Sequence, residues 1–180
     1  MADANSVTAG LATLGATGWA VTGNTVFNTP GVVGTTTNNN AAAGQVGESI
    51  SSTVAAGAAV ALTTGVAANV TSLVLTPGDW NVNGSVDHAI GATTSITQLN
   101  ASISLTSATL SPQAGGSGLG SDATATFSFA AMVPAANIVQ NIPFVRLSIA
   151  VTTTIYLVAQ DAFTLSTVSA FGTIRARRSR

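Results

Sequence analysis

Between Leu75 and Val86 the chain reads L-T-P-G-D-W-N-V-N-G-S-V, and this stretch restricts the fold more than any other. Thr76-Pro77-Gly78-Asp79 carries turn chemistry, because Pro presets φ, Gly accepts φ > 0 and Asp bonds nearby backbone N–H groups. Beyond the turn, Trp80, Val82, Gly84 and Val86 alternate with Asn81, Asn83, Ser85 and Asp87. A period of two puts the first set on one face of a strand and the second on the other, so Trp80 is expected in a core. Thr71, Leu73 and Leu75 repeat the pattern before the turn. Two such runs joined by Pro-Gly predict a β-hairpin or a corner between two sheets.

The alternation continues through the rest of the chain. Thr93 to Leu110 is read as one long strand with Leu99, Ala101, Ile103 and Leu105 inward and Gln98, Asn100, Ser102 and Ser104 outward. Ala123, Ala125, Phe127 and Phe129 alternate after a Gly-rich loop at Ser111 to Asp122. Val133-Pro134 and Ile142-Pro143 are taken to bracket a connection, since Pro is poorly tolerated in central strands. Phe144 to Val158 is read as a single strand, followed by strands at Phe163 to Thr167 and Ser169 to Arg177. Ala55 to Gly65 is ambiguous: its alanines favour helix, but the span between Gly57 and Gly65 is short, and it is assigned to a strand ending in a turn.

About eight short strands with Gly/Pro turns and no amphipathic helix predict an all-β fold. It is an antiparallel β-sandwich, an eight-stranded jelly roll before an immunoglobulin-like arrangement. Residues 1–43 are Gly-, Thr- and Asn-rich with weak periodicity and are read as an extended N-terminal arm, with Trp19, Val26 and Phe27 as the groups that could anchor it to another surface. Residues 44–180 form the sandwich body.

Charged residues are 6% of the chain, against roughly a quarter in ordinary globular proteins. A lone monomer normally covers itself with charge, so this surface of Thr, Ser, Asn and Ala is expected to be covered in part by partners. The net charge of −1 supplies no field to attract nucleic acid or an anionic membrane. Cys is absent, which excludes disulfides and thiolate metal sites. The first ten residues lack the basic and apolar regions of a secretory signal, and no apolar run approaches the length of a spanning helix.

Chemistry-bearing residues are scarce. His88 is the single histidine and is read as structural or solvated; one histidine makes no multi-His metal site. Asp3, Glu48, Asp79, Asp87, Asp122 and Asp161 show no spacing for paired acid and base work, and Asp79 and Asp122 are read as turn residues. No G-x-S-x-G elbow occurs, and Gly115 to Ser121 lacks the Lys of a phosphate loop. Four of the five basic residues, all arginine, crowd the C-terminus. Of these, Arg175, Arg177 and Arg178 are interface candidates for an acidic partner, with a solvated tail as the alternative.

Three segments carry a family resemblance: V-G-E-S-I-S-S-T-V, then L-T-T-G-V-A-A-N-V-T-S-L-V-L-T-P-G-D-W-N-V-N-G, then I-Y-L-V-A-Q-D-A-F-T-L-S-T-V-S-A-F-G-T-I-R-A-R-R-S-R. Together, over about Gln45 to Arg180, they resemble a group of small virion proteins of tailed bacteriophages. The arm segment G-W-A-V-T-G-N-T-V-F-N-T-P-G-V-V-G-T-T is similar to the G-W-x-x-x-G-N repeat of tail-fibre-like proteins, without its acidic and large apolar second half. The resemblance implies a jelly-roll body that trimerises and a structural, non-enzymatic role on the virion, assembled in the host cytoplasm. The expectation is a capsid-decoration or head-fibre protein anchored by its arm, with itself and the major capsid or other virion proteins as partners. No cofactor, metal, nucleic acid or membrane is expected. The alternative is a tail-fibre or tail-tip module binding host glycan.

Overall fold

The computed structural model describes residues 37–111, 123–134 and 136–180. The arm anchors Trp19, Val26 and Phe27, the glycine-rich segment Gly115 to Ser121, and Asp3 and Asp122 lie outside the described residues. The compact unit that holds the sandwich begins at Asn39, a few residues ahead of Gly44.

Nine strands occur among the described residues: β1 (Ser49–Val54), β2 (Val60–Ala61), β3 (Ala68–Leu75), β4 (Gly78–Ile90), β5 (Ser95–Ser104), β6 (Thr124–Met132), β7 (Ile138–Ile149), β8 (Thr153–Thr164) and β9 (Val168–Arg178). They form two antiparallel sheets. The first has the order β1-β9-β4-β7 with β2 also on β9, and the second has the order β3-β8-β5-β6. With β2 set aside, every long strand except β6 lies in the sheet opposite its predecessor, which is the wrapping of a jelly roll. The all-β sandwich expected from the alternation is therefore the observed fold. No helix among the described residues is long and apolar enough to cross a membrane.

The Leu75–Val86 stretch makes a corner between the sheets. Leu73 and Leu75 face the core from β3, and Trp80, Val82 and Val86 face it from β4. Trp80 is 0% exposed, and its indole N–H donates to the Thr76 carbonyl at 2.9 Å, which satisfies the one polar atom of a buried ring. From the second sheet, Ile96, Leu99, Ile103, Ile155 and Leu157 close the same core.

Several boundaries differ from those read in the sequence, each for a physical reason. Ala55 to Gly65 is a single 3-10 turn (Ala56–Ala58) and the two-residue β2, because only Val60 and Ala61 reach the β9 ladder. The long strand from Thr93 stops at Ser104. Its polar face is not solvated: Asn100, Ser102 and Ser104 are buried. The chain beyond Ser104 folds back, with the Ala108 N–H on Asn69 Oδ1 and the Ser111 N–H on Ser102 Oγ.

Pro143 does not lie in a connection but inside β7. Val82 pairs with Val145 and Gly84 with Ile142, so Pro143 and Phe144 bulge opposite Asn83. An edge strand at a bulge can hold a residue with no N–H to donate. The run from Phe144 to Val158 is two strands in different sheets, turning at residues 150–152 with Val151 exposed. Phe163 and Thr164 finish β8 rather than starting a strand of their own.

Candidate functional site

Among the described residues, two buried clusters hold charged or titratable side chains, and the outer face of the first sheet is open and polar. The first cluster lies between the sheets. His88 Nδ1 is 2.8 Å from Asp161 Oδ2 and His88 Nε2 is 2.9 Å from Gln140 Oε1. Gln140 Nε2 donates to the Leu99 carbonyl at 3.2 Å. All three side chains are 0% exposed, so a His–Asp pair that would suggest proton transfer on a surface is closed to any substrate here. It ties β4, β7 and β8 together. Sequence reading missed this meeting although a signal existed: His88 has the parity of Trp80, Val82 and Val86, and Asp161 that of Ile155, Leu157 and Ala159.

The second cluster surrounds the Pro-Gly corner. Arg178, read in the sequence as an interface or tail residue, is buried. Its Nε donates to Glu48 Oε2 at 2.9 Å, its Nη1 to the Pro77 carbonyl at 2.8 Å, and its guanidinium lies 4.3 Å from the centroid of the Trp80 ring. A role in gripping a partner is thus excluded for Arg178, since every side of its head group is already engaged inside the fold. Gly78, at φ +146, makes room for it: a Cβ there would strike Arg178 Nη1. Glu48 is held below the usual carboxylate range by the Gly44 N–H and by Arg178, against the opposing effect of burial.

Asp79 is not a turn residue but the second residue of β4. Arg146 donates to it bidentately, with Nε at 2.9 Å from Oδ1 and Nη2 at 2.7 Å from Oδ2, and Arg180 Nε lies at 2.8 Å from Oδ2. These bonds, Arg146 foremost, depress the Asp79 pKa despite its burial, and Asp79 in turn raises that of Arg146.

The open face is the outer surface of the first sheet. Ladder register arranges it in rows: Ser49, Arg177, Asn81 and Arg146 across β1, β9, β4 and β7, and below them Ser51, Arg175 and Asn83, with Phe144 in the bulge opposite Asn83. Arg175 and Arg177 are exposed and have no carboxylate partner among the described residues. Every arginine of the chain is therefore at this end of the first sheet, three of them paired and two not. Sequence reading named Arg175 and Arg177 together with the buried Arg178, and missed Phe144 beside them, because only the pairing of β4 with β7 and β9 brings that ring next to the arginine rows. No group of three or more metal-ligating side chains occurs among the described residues.

No protein-family model matches this chain, and neither the curated proteins nor the solved structures include a match.

Proposed function

We propose that this chain is a non-enzymatic structural protein of a tailed-bacteriophage virion: a capsid-decoration or head-fibre protein that attaches through its arm, residues 1–43, and presents the sandwich as a homotrimer. The observation that carries the proposal is the stretch from Ala123 to Asn141, which contains no charged residue and supplies the whole of β6 and the start of β7. These are the end strands of the two sheets, and Phe127, Met132, Val133 and Val139 are exposed there. Soluble monomers guard sheet edges with Lys, inward charges or cover, and β6 carries no charged residue. Copies of the same chain meeting at this side would cover both edges. The jelly-roll wrapping is compatible with a capsid role, as an analogy of fold alone.

Copy number and incorporation test the reading. Particles assembled with the chain lacking residues 1–43 should not carry the body, whereas particles with the intact chain should carry it in many copies. Normal incorporation without the arm would reverse the orientation, and a protein absent from particles would end the proposal.

A further inference from the structure

We infer that the arginine-bearing half of the first sheet's outer face binds a carboxylate-bearing saccharide. This goes beyond the virion role and does not depend on it.

Arg175 and Arg177 stand two residues apart on one strand, so their stems are about 7 Å apart on the same face. The chain has only five basic residues, and the other three are engaged with Glu48 or Asp79. Two exposed guanidinia without a carboxylate partner offer planar, bidentate donors to an anion of their own geometry, which a carboxylate has. Arg146 stands on the far side of Asn81, two strands or about 10 Å away, held by Asp79.

The rest of the face suits hydroxyls rather than more charge. Ser49, Ser51, Asn81 and Asn83 flank the arginines on β1 and β4, and each can both donate and accept. Phe144 is 68% exposed on the neighbouring strand, opposite Asn83. An open phenyl ring beside amides and guanidinia is a plate for the C–H face of a pyranose whose hydroxyls reach the amides and whose carboxylate reaches an arginine. A nucleic acid would need a longer run of unpaired cations to gain from phosphate contacts. An oligoglutamate peptide would use the arginines and amides but has no apolar C–H face to lay on the Phe144 ring.

The test is titration of the full-length protein at low salt with trigalacturonate, a hyaluronan tetrasaccharide and an α2,8-linked disialoside. Maltotriose, an oligoglutamate peptide and a single-stranded oligonucleotide are the comparators. At least one acidic saccharide should bind in the millimolar range or tighter, and maltotriose should not. The R175Q/R177Q double variant should lose about tenfold or more in affinity. Phe144→Ala should lose roughly severalfold. These side chains are exposed, so both variants should melt like the parent, and a circular-dichroism melt verifies it. No binding by any of the three acidic saccharides overturns the inference. So does binding that both variants retain, or binding of oligoglutamate or the oligonucleotide as tight as that of the saccharides, which would leave charge alone as the cause.

Discussion

Trp80 fills the largest single volume of the core, and its ring also supports the Arg178 guanidinium. Trp80→Ala should therefore remove both packing and a platform, at a cost of about 3–5 kcal/mol, read as a lower urea midpoint. Gly172 is the complementary case. It sits at φ +156 between β1 and β4, where a Cβ would strike the Ser85 carbonyl and crowd the Val86 Cα at 3.1 Å. Both obstacles are backbone and cannot swing aside. Gly172→Ala should destabilise by roughly 1–3 kcal/mol, whereas Gly57→Ala, where nothing lies within 4 Å of the new methyl, should change the melt little.

At the scale of elements, the Pro-Gly corner between β3 and β4 is bound to the ends of β1 and β9 by ions. The Arg178 N–H donates to the Glu48 carbonyl at 2.8 Å while its side chain pairs with the Glu48 carboxylate, so the strand start and the corner hold one another. Arg178→Ala would leave Glu48 buried with a lost partner, and should cost more than Arg177→Ala one residue earlier. Both Glu48 and Asp79 have folded pKa values below the ordinary carboxylate value. The unfolded chain takes up protons at about pH 4, before the folded chain does. Their stabilisation is therefore complete at neutral pH, begins to fade as pH falls to the unfolded value, and is gone below the folded one. Thermal melts between neutral pH and pH 3 should show this loss. Asp79→Asn should flatten the profile; an unchanged slope would mean that other carboxylates govern it.

For the whole molecule, the scarcity of charge makes salt a test of the proposed association. If copies cover the β6 and β7 edges with neutral and apolar groups, sedimentation of the intact chain should give a trimer whose stability barely responds to salt, because little Coulomb energy is there to screen. A stable monomer at micromolar concentration would remove the trimer from the proposal. Met132→Lys, placed on the exposed edge, should weaken the assembly by inserting a like charge in each copy without unfolding the sandwich. The saccharide face, by contrast, should respond strongly to salt, so the two surfaces can be separated by one variable.

Period-two alternation by itself determined that the chain is an antiparallel all-β sandwich and that Trp80, Leu99, Ile103 and Leu157 are interior. Each of those follows from which side of a pleat a residue occupies, a property of neighbours in the chain. The alternation left Pro77-Gly78 as either a hairpin or a corner, and only the placing of β3 and β4 in different sheets made it a corner. Tertiary structure alone decided where a strand ends when no Gly or Pro marks it, as at residues 150–152. It also decided that Pro143 sits in an edge strand and that Asn100 and Ser102 are covered. Parity placed His88 and Asp161 on inward faces, yet only packing of one sheet on the other brought them 2.8 Å apart. The four C-terminal arginines show the same division: their crowding is visible in the sequence, but Arg178 is buried, and Arg175 and Arg177 are exposed with no carboxylate partner among the described residues, because the ladder pairs Arg178 with Trp80 on the inner face and turns Arg175 and Arg177 outward. Long-range register, which couples residues a hundred positions apart, is set by the energy of the whole core rather than by any local segment.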